Sequence, residues 1–82
     1  MKVKVLYFAI TRDLAGTIEE DLDLPASVST IERVADHLAR LHPELAGRLE
    51  SVRFARNEEF AKSSDAISDG DTIALIPPVA GG

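Results

Sequence analysis

The stretch STIERVADHLARL, residues 29–41, decides the fold. Ile31, Val34, Ala35, Leu38 and Leu41 recur at three- and four-residue steps, which draws one apolar stripe down an α-helix. Arg33, Asp36, His37 and Arg40 are left facing water, and Asp36 and Arg40 are spaced to pair one turn apart. Ser29-Thr30-Ile31-Glu32 fits a capping box, in which the Ser29 hydroxyl and the Glu32 carboxylate satisfy unpaired backbone N–H groups at a helix start. Pro43 restricts His42 to extended geometry, so the helix is expected to stop near Leu41. A helix with one apolar stripe needs one surface to cover.

The flanking sequence supplies a sheet. KVKVLYFA, 2–9, alternates, with Val3, Val5 and Tyr7 on one face and Lys2, Lys4, Leu6 and Phe8 on the other. ITRDLAG then holds a turn or two of helix closed by Gly16, and TIEEDLDL resumes an extended pattern that pairs back on the first strand. Beyond the main helix, PELAGRLE reads as a short, frayed helical piece. VRFAR reads as a third strand, Asn57-Glu58-Glu59 as its turn and FAK as a short return. Asp69-Gly70-Asp71 makes a tight turn into TIALI, a central strand with Ile73 and Leu75 on one side and Ala74 and Ile76 on the other. The order strand, strand, helix, strands describes an α+β roll, with one helix stripe packed on one sheet face.

At 82 residues, with 9 Lys and Arg against 14 Asp and Glu, the chain is one small acidic domain of net charge −5. Such a surface repels phosphate backbones, and no basic patch interleaved with aromatics offsets it, so nucleic acid is not an expected partner. Cysteine is absent, which excludes disulfides, thiolate metal sites and a cysteine nucleophile. The longest apolar run, VLYFAI, is far short of a membrane span, and no signal-peptide pattern opens the chain. A soluble cytoplasmic protein is the expectation.

Few side chains suggest catalysis. His37 and His42 have no third His or Cys to complete a metal set and read as ordinary surface histidines. Asp65, Asp69 and Asp71 bracket Gly70 but lack the alternating ligands and closing Glu of a calcium loop, so they read as turn chemistry, and no metal is expected. There is no phosphate loop and no serine elbow. Two features remain. On the outward sheet face, alternation sets Leu6 and Phe8 beside Ile76, with Phe60 joining them from the short return strand. A partner-docking patch is one reading of that face; a register slip of one residue would bury the same side chains instead.

The second feature is the tail IPPVAGG, 76–82. A closing Gly-Gly arises by chance in roughly one chain in two hundred, and most termini have no function. Extended, the segment from Pro77 through Pro78, Val79, Ala80 and Gly81 to Gly82 spans on the order of 20 Å, with its base stiffened by the two prolines. Gly81 and Gly82 carry no Cβ, so a partner can close around their backbone. The terminal carboxylate of Gly82 is ionised at neutral pH and a poor electrophile, and accepts a nucleophile only once activated, for instance as a mixed anhydride with AMP. Such a tail suits a substrate for another protein's active site.

Together, KVLYFAITRDLAG, the capped helix, Asn57 after the third strand, SDGDTIALIPPV and the closing GG resemble the small, sulfur-carrier subunits of molybdopterin synthase, members of the β-grasp, ubiquitin-like superfamily. Gly-Gly alone is shared by many ubiquitin-like proteins; DGD, a strand and PPVxGG together are more specific. The resemblance implies a β-grasp roll of four to five strands on one main helix over 1–76, with an extended tail over 77–82. It implies that the chain is no enzyme alone and binds no cofactor of its own. A ubiquitin-activating-like adenylyltransferase would use ATP to adenylate Gly82, and a sulfur donor enzyme would convert it to a thiocarboxylate. The tail would then enter the large catalytic subunit, in a heterotetramer of two small and two large subunits, where sulfur passes to cyclic pyranopterin monophosphate. The family's docking surface aligns with Phe8, Phe60 and Ile76. Arg56, where related sequences often keep an apolar residue, and Glu58, where glycine is common, depart from the pattern.

Two other readings share the activation chemistry: a sulfur carrier for thiamine or tRNA thiolation, and a ubiquitin-like modifier joined to lysines through Gly82. A further reading, a binding domain with an idle tail, needs no activation. Thiazole carriers tend to be shorter and usually lack PPV before the glycines.

Overall fold

A computed structural model of the protein describes residues 1–78. Its elements are β1 (Lys2–Tyr7), α1 (Ile10–Ala15), β2 (Glu19–Asp23), α2 (Ile31–Leu41), β3 (Arg53–Arg56), β4 (Glu59–Ala61) and β5 (Thr72–Ile76). The strands form one mixed sheet in the order β2-β1-β5-β3-β4. β1 and β5 lie parallel at its centre, with Val5 opposite Ile73, and the remaining pairs are antiparallel. This is the expected β-grasp roll.

Alternation places the core as expected. Val3, Val5 and Tyr7 of β1 and Ile73 and Leu75 of β5 are buried against Ile31, Val34 and Leu38 of α2, and Phe54 of β3 joins them. Each buried aliphatic side chain contributes about 1.5–3 kcal/mol relative to exposure, so this one layer is what holds helix to sheet. Gly16 closes α1 in the left-handed conformation, at φ 77°, and its N–H donates to the Arg12 carbonyl.

Five local expectations are corrected. The helix cap is Thr30, not Ser29: the Thr30 hydroxyl accepts from Arg33 N–H, while the Ser29 carbonyl accepts from Ile67 N–H in a contact with the distant segment before β5. Leu41 is exposed, and the next core side chain comes instead from Leu45, fully buried in the first of two 3₁₀ turns, Pro43–Leu45 and Leu49–Ser51. The PELAGRLE piece is therefore an anchored part of the core. Asp36 and Arg40 do not pair: the ion pairs among the described residues are Met1 amine to Asp23, Lys4 to Glu19 and Arg56 to Asp71, and His42 meets Glu20 in a hydrogen bond. Holding two long exposed side chains together gains little in water. Finally, the β3–β4 loop is two residues, Asn57 and Glu58, at φ 51° and 72°, and Glu59 already belongs to β4. Positive φ at both positions is the turn that matches the twist of a two-residue hairpin.

Candidate functional site

The outer face of the sheet carries an apolar groove of about 290 Å³. Its shape follows from register. Leu6 of β1 lies beside Ala74 of β5, Ala74 opposite Ala55 of β3, and Ala55 opposite Phe60 of β4. Two alanines on the central strands make a low floor. Leu6 and Phe8 rise as one wall and Phe60 as the other, and Ile76 lines the same groove where β5 runs into Pro77 and Pro78. Phe8 and Phe60 are 48% and 58% exposed, a large apolar area to leave in water. The Arg53 guanidinium stacks on Phe60 at 3.8 Å from the ring centroid and braces that wall. Two larger depressions, of about 570 and 670 Å³, lie between α2 and β3 and across Lys2 to Thr72; charged side chains line both.

The hairpin bearing Phe60 is tied to the start of β5 by a buried carboxylate. Asp71 accepts from Arg56 Nε, from Asn57 Nδ2 at 2.9 Å and from Ser68 N–H at 2.7 Å. Asn57 in turn accepts from Thr72 N–H through Oδ1 at 2.9 Å and donates its own N–H to the Thr72 carbonyl at 2.8 Å. The departure at Arg56 thus has a structural partner. Asp69 accepts from Lys2 N–H and Asp65 from Lys62 N–H, so all three aspartates serve turns and strand starts. Burial pushes the Asp71 carboxyl up, but the hydrogen bonds from Arg56, Asn57 and Ser68 outweigh it and hold it below the usual carboxylate range.

That direction fixes a pH dependence. A carboxyl held low in the folded state stabilises the fold above its unfolded value of about 3.9, and the contribution is lost as pH falls through the lower folded value. Asp71→Asn is therefore expected to flatten the acid limb of the stability curve, read as Tm between about pH 2 and 5. Parallel acid limbs in both proteins would rule out Asp71 as the group responsible.

His42 is not a plain surface residue. Its Nε2 lies 2.8 Å from Glu20 Oε1, the Tyr7 hydroxyl donates to the same oxygen at 2.6 Å, and the two rings meet edge to face. Burial, then the Glu20 contact, raises the Tyr7 phenol above its ordinary value. No spacing in the sequence announces this cluster, because its members come from β1, β2 and the residue after α2.

The structure brings Phe8, Phe60 and Ile76 together on one groove, and places Pro77 and Pro78 directly after it. Val79, Ala80, Gly81 and Gly82 lie outside the described residues. Among the described residues no helix is long and apolar enough to cross a membrane.

The ThiS family model matches residues 5–82. The molybdopterin synthase sulfur carrier subunit of Chlamydomonas reinhardtii is 39% identical over 84 residues, an alignment covering 100% of both chains. That of Arabidopsis thaliana is 35% identical over 82 residues, covering 100% of this chain and 84% of the relative. Among solved structures, the small archaeal modifier protein 1 of H. volcanii superposes with a TM-score of 0.84 at 28% identity, over 95% of this chain and 98% of that one. With the family match running from the middle of β1 to Gly82 and two relatives aligned along the whole of this chain, the chain belongs to the ThiS family.

Proposed function

We propose that this protein is the sulfur-carrier subunit of molybdopterin synthase. The observation that carries the reading is continuity: Ile76 lines the apolar groove and Pro77 and Pro78 follow it, so a partner seated on the groove receives the tail directly. The name shared by the algal and plant relatives supports a sulfur-carrying role, and the cycle proposed for it is as follows. The carboxylate of Gly82 attacks the α-phosphate of ATP on an adenylyltransferase and releases pyrophosphate. Sulfur at the sulfide level, supplied by a donor, then attacks the acyl carbon; the new carbon–sulfur bond replaces the acyl–phosphate bond, AMP leaves and a thiocarboxylate remains. On the large catalytic subunit, the thiocarboxylate sulfur bonds to a carbon of cyclic pyranopterin monophosphate, and water cleaves the acyl–sulfur bond, which leaves the sulfur on the pterin and returns the carboxylate. Phe8, Phe60 and Ile76 dock on that subunit, two carriers and two large subunits make the assembly, and the cycle runs in the cytoplasm. ATP is bound by the activating enzyme, and the carrier holds no cofactor.

A second reading, a ubiquitin-like modifier, is favoured by the likeness to the archaeal modifier protein. Intact mass of the protein isolated from its own cells, with fragmentation of the C-terminal peptide, separates the two. One oxygen replaced by sulfur at Gly82 is the result expected of the carrier; because oxidation of Met1 adds nearly the same mass, it counts only when localised to the tail. A branched peptide joining Gly82 to a lysine, with no thiocarboxylate, would overturn the carrier reading.

A further inference from the structure

The ITRDLAG segment holds a buried hydroxyl that the carrier chemistry does not use. Thr11 is fully buried, on a short helix whose other polar side chains, Arg12 and Asp13, are exposed. Its Oγ1 accepts from Phe8 N–H at 2.9 Å and donates to the Phe8 carbonyl at 2.6 Å, and its own N–H reaches the same carbonyl at 3.1 Å. Both backbone polar groups of Phe8 are therefore held by one residue. Between them, Ala9 has φ 51° and ψ −129°, the conformation of the first central residue of a type II′ turn, where glycine is preferred. The backbone under Phe8 is locked in a strained form, and a β-branched side chain with restricted χ1 does the locking.

The Phe8 ring, by contrast, is half exposed and forms the wall of the groove nearest the start of α1. An aromatic anchor left in water on a fixed backbone binds without the cost of ordering its main chain. We infer that Thr11 is a positioning residue for partner docking: its hydroxyl sets the turn that presents Phe8 to the partner. The inference rests on the docking role proposed for the groove.

The test is a double-mutant cycle with the purified large subunit of molybdopterin synthase, comparing Thr11→Val, Thr11→Ser, Phe8→Ala and the Thr11→Val/Phe8→Ala pair. Thr11→Val keeps the shape and removes the hydroxyl, and is expected to weaken binding roughly 3- to 10-fold. Thr11→Ser restores the hydroxyl and is expected to bind within about 2-fold of the parent. If Thr11 acts through Phe8, Thr11→Val has no further effect once Phe8 is alanine. Additive effects, or full affinity in Thr11→Val, overturn the inference. A normal dissociation constant for Phe8→Ala instead overturns the docking role of Phe8, and the inference with it. Should Thr11→Val fail to fold, hydrogen exchange on the unaltered protein still decides: the Phe8 amide is expected to be as protected as the β1 amides, and exchange at the free-peptide rate overturns the clamp.

Discussion

Deleting Gly82, or adding one residue after it, is expected to abolish sulfur transfer and to leave the fold unchanged. Each change shifts the terminal carboxylate by one residue, which is about 3.3–3.6 Å of chain when fully extended. A displacement of about 1 Å in a reacting group can already cost on the order of 10²-fold in rate, so a shift three times larger removes the reaction. Stability should not follow, because every core residue among the described residues precedes Pro77 and β5 ends at Ile76. Thiocarboxylate formation with the activating enzyme and sulfur donor, read by mass spectrometry, measures the first effect; thermal unfolding measures the second. Transfer retained by the shortened chain would sink the proposal that Gly82 carries the sulfur.

Phe8→Glu is expected to weaken binding to the large subunit by about 1–3 kcal/mol, roughly 5- to 150-fold, as loss of a central aromatic anchor does. The substitution removes one wall of the groove and faces a carboxylate toward Leu6, Ala74 and Ile76, with Glu58 already at the rim. Burying that charge against an apolar partner without a counter-ion adds to the loss. The fold itself should tolerate the change, since half of the Phe8 surface is already in water. Titration calorimetry gives the affinity, and an unchanged dissociation constant removes Phe8 from the docking surface.

How far the site could be read in advance differs residue by residue. Leu6, Phe8 and Ile76 follow from alternation, because a strand sends successive side chains to opposite faces and the core face was marked by Val3, Val5, Ile73 and Leu75. Phe60 follows less directly, because its position depends on the Asn57-Glu58 turn fixing the register of a three-residue strand. The alanine floor was missed. It needs β1, β5, β3 and β4 side by side in that order, and small residues carry no signal until neighbours overlook them. Thr11 was passed over as one member of a short helix, because its hydrogen bonds to Phe8 depend on a positive φ at an alanine that propensity does not suggest.

By itself the sequence determined the element order, the buried face of the first and last strands, the main helix and its stop before Pro43, and the chemistry open to the tail. These are local properties: periodicity, a proline's steric reach and the reactivity of a carboxylate depend on near neighbours in the chain. Only the tertiary structure decided the helix cap at Thr30, where Ser29 is drawn to Ile67; the core role of Leu45; the Asp71 tie to Arg56 and Asn57; and the Tyr7, Glu20 and His42 cluster. Each joins segments far apart in sequence. A buried polar group takes whichever partner the packing of the sheet brings within hydrogen-bond reach, and that choice exists only once β3 lies against β5 and β2 against β1.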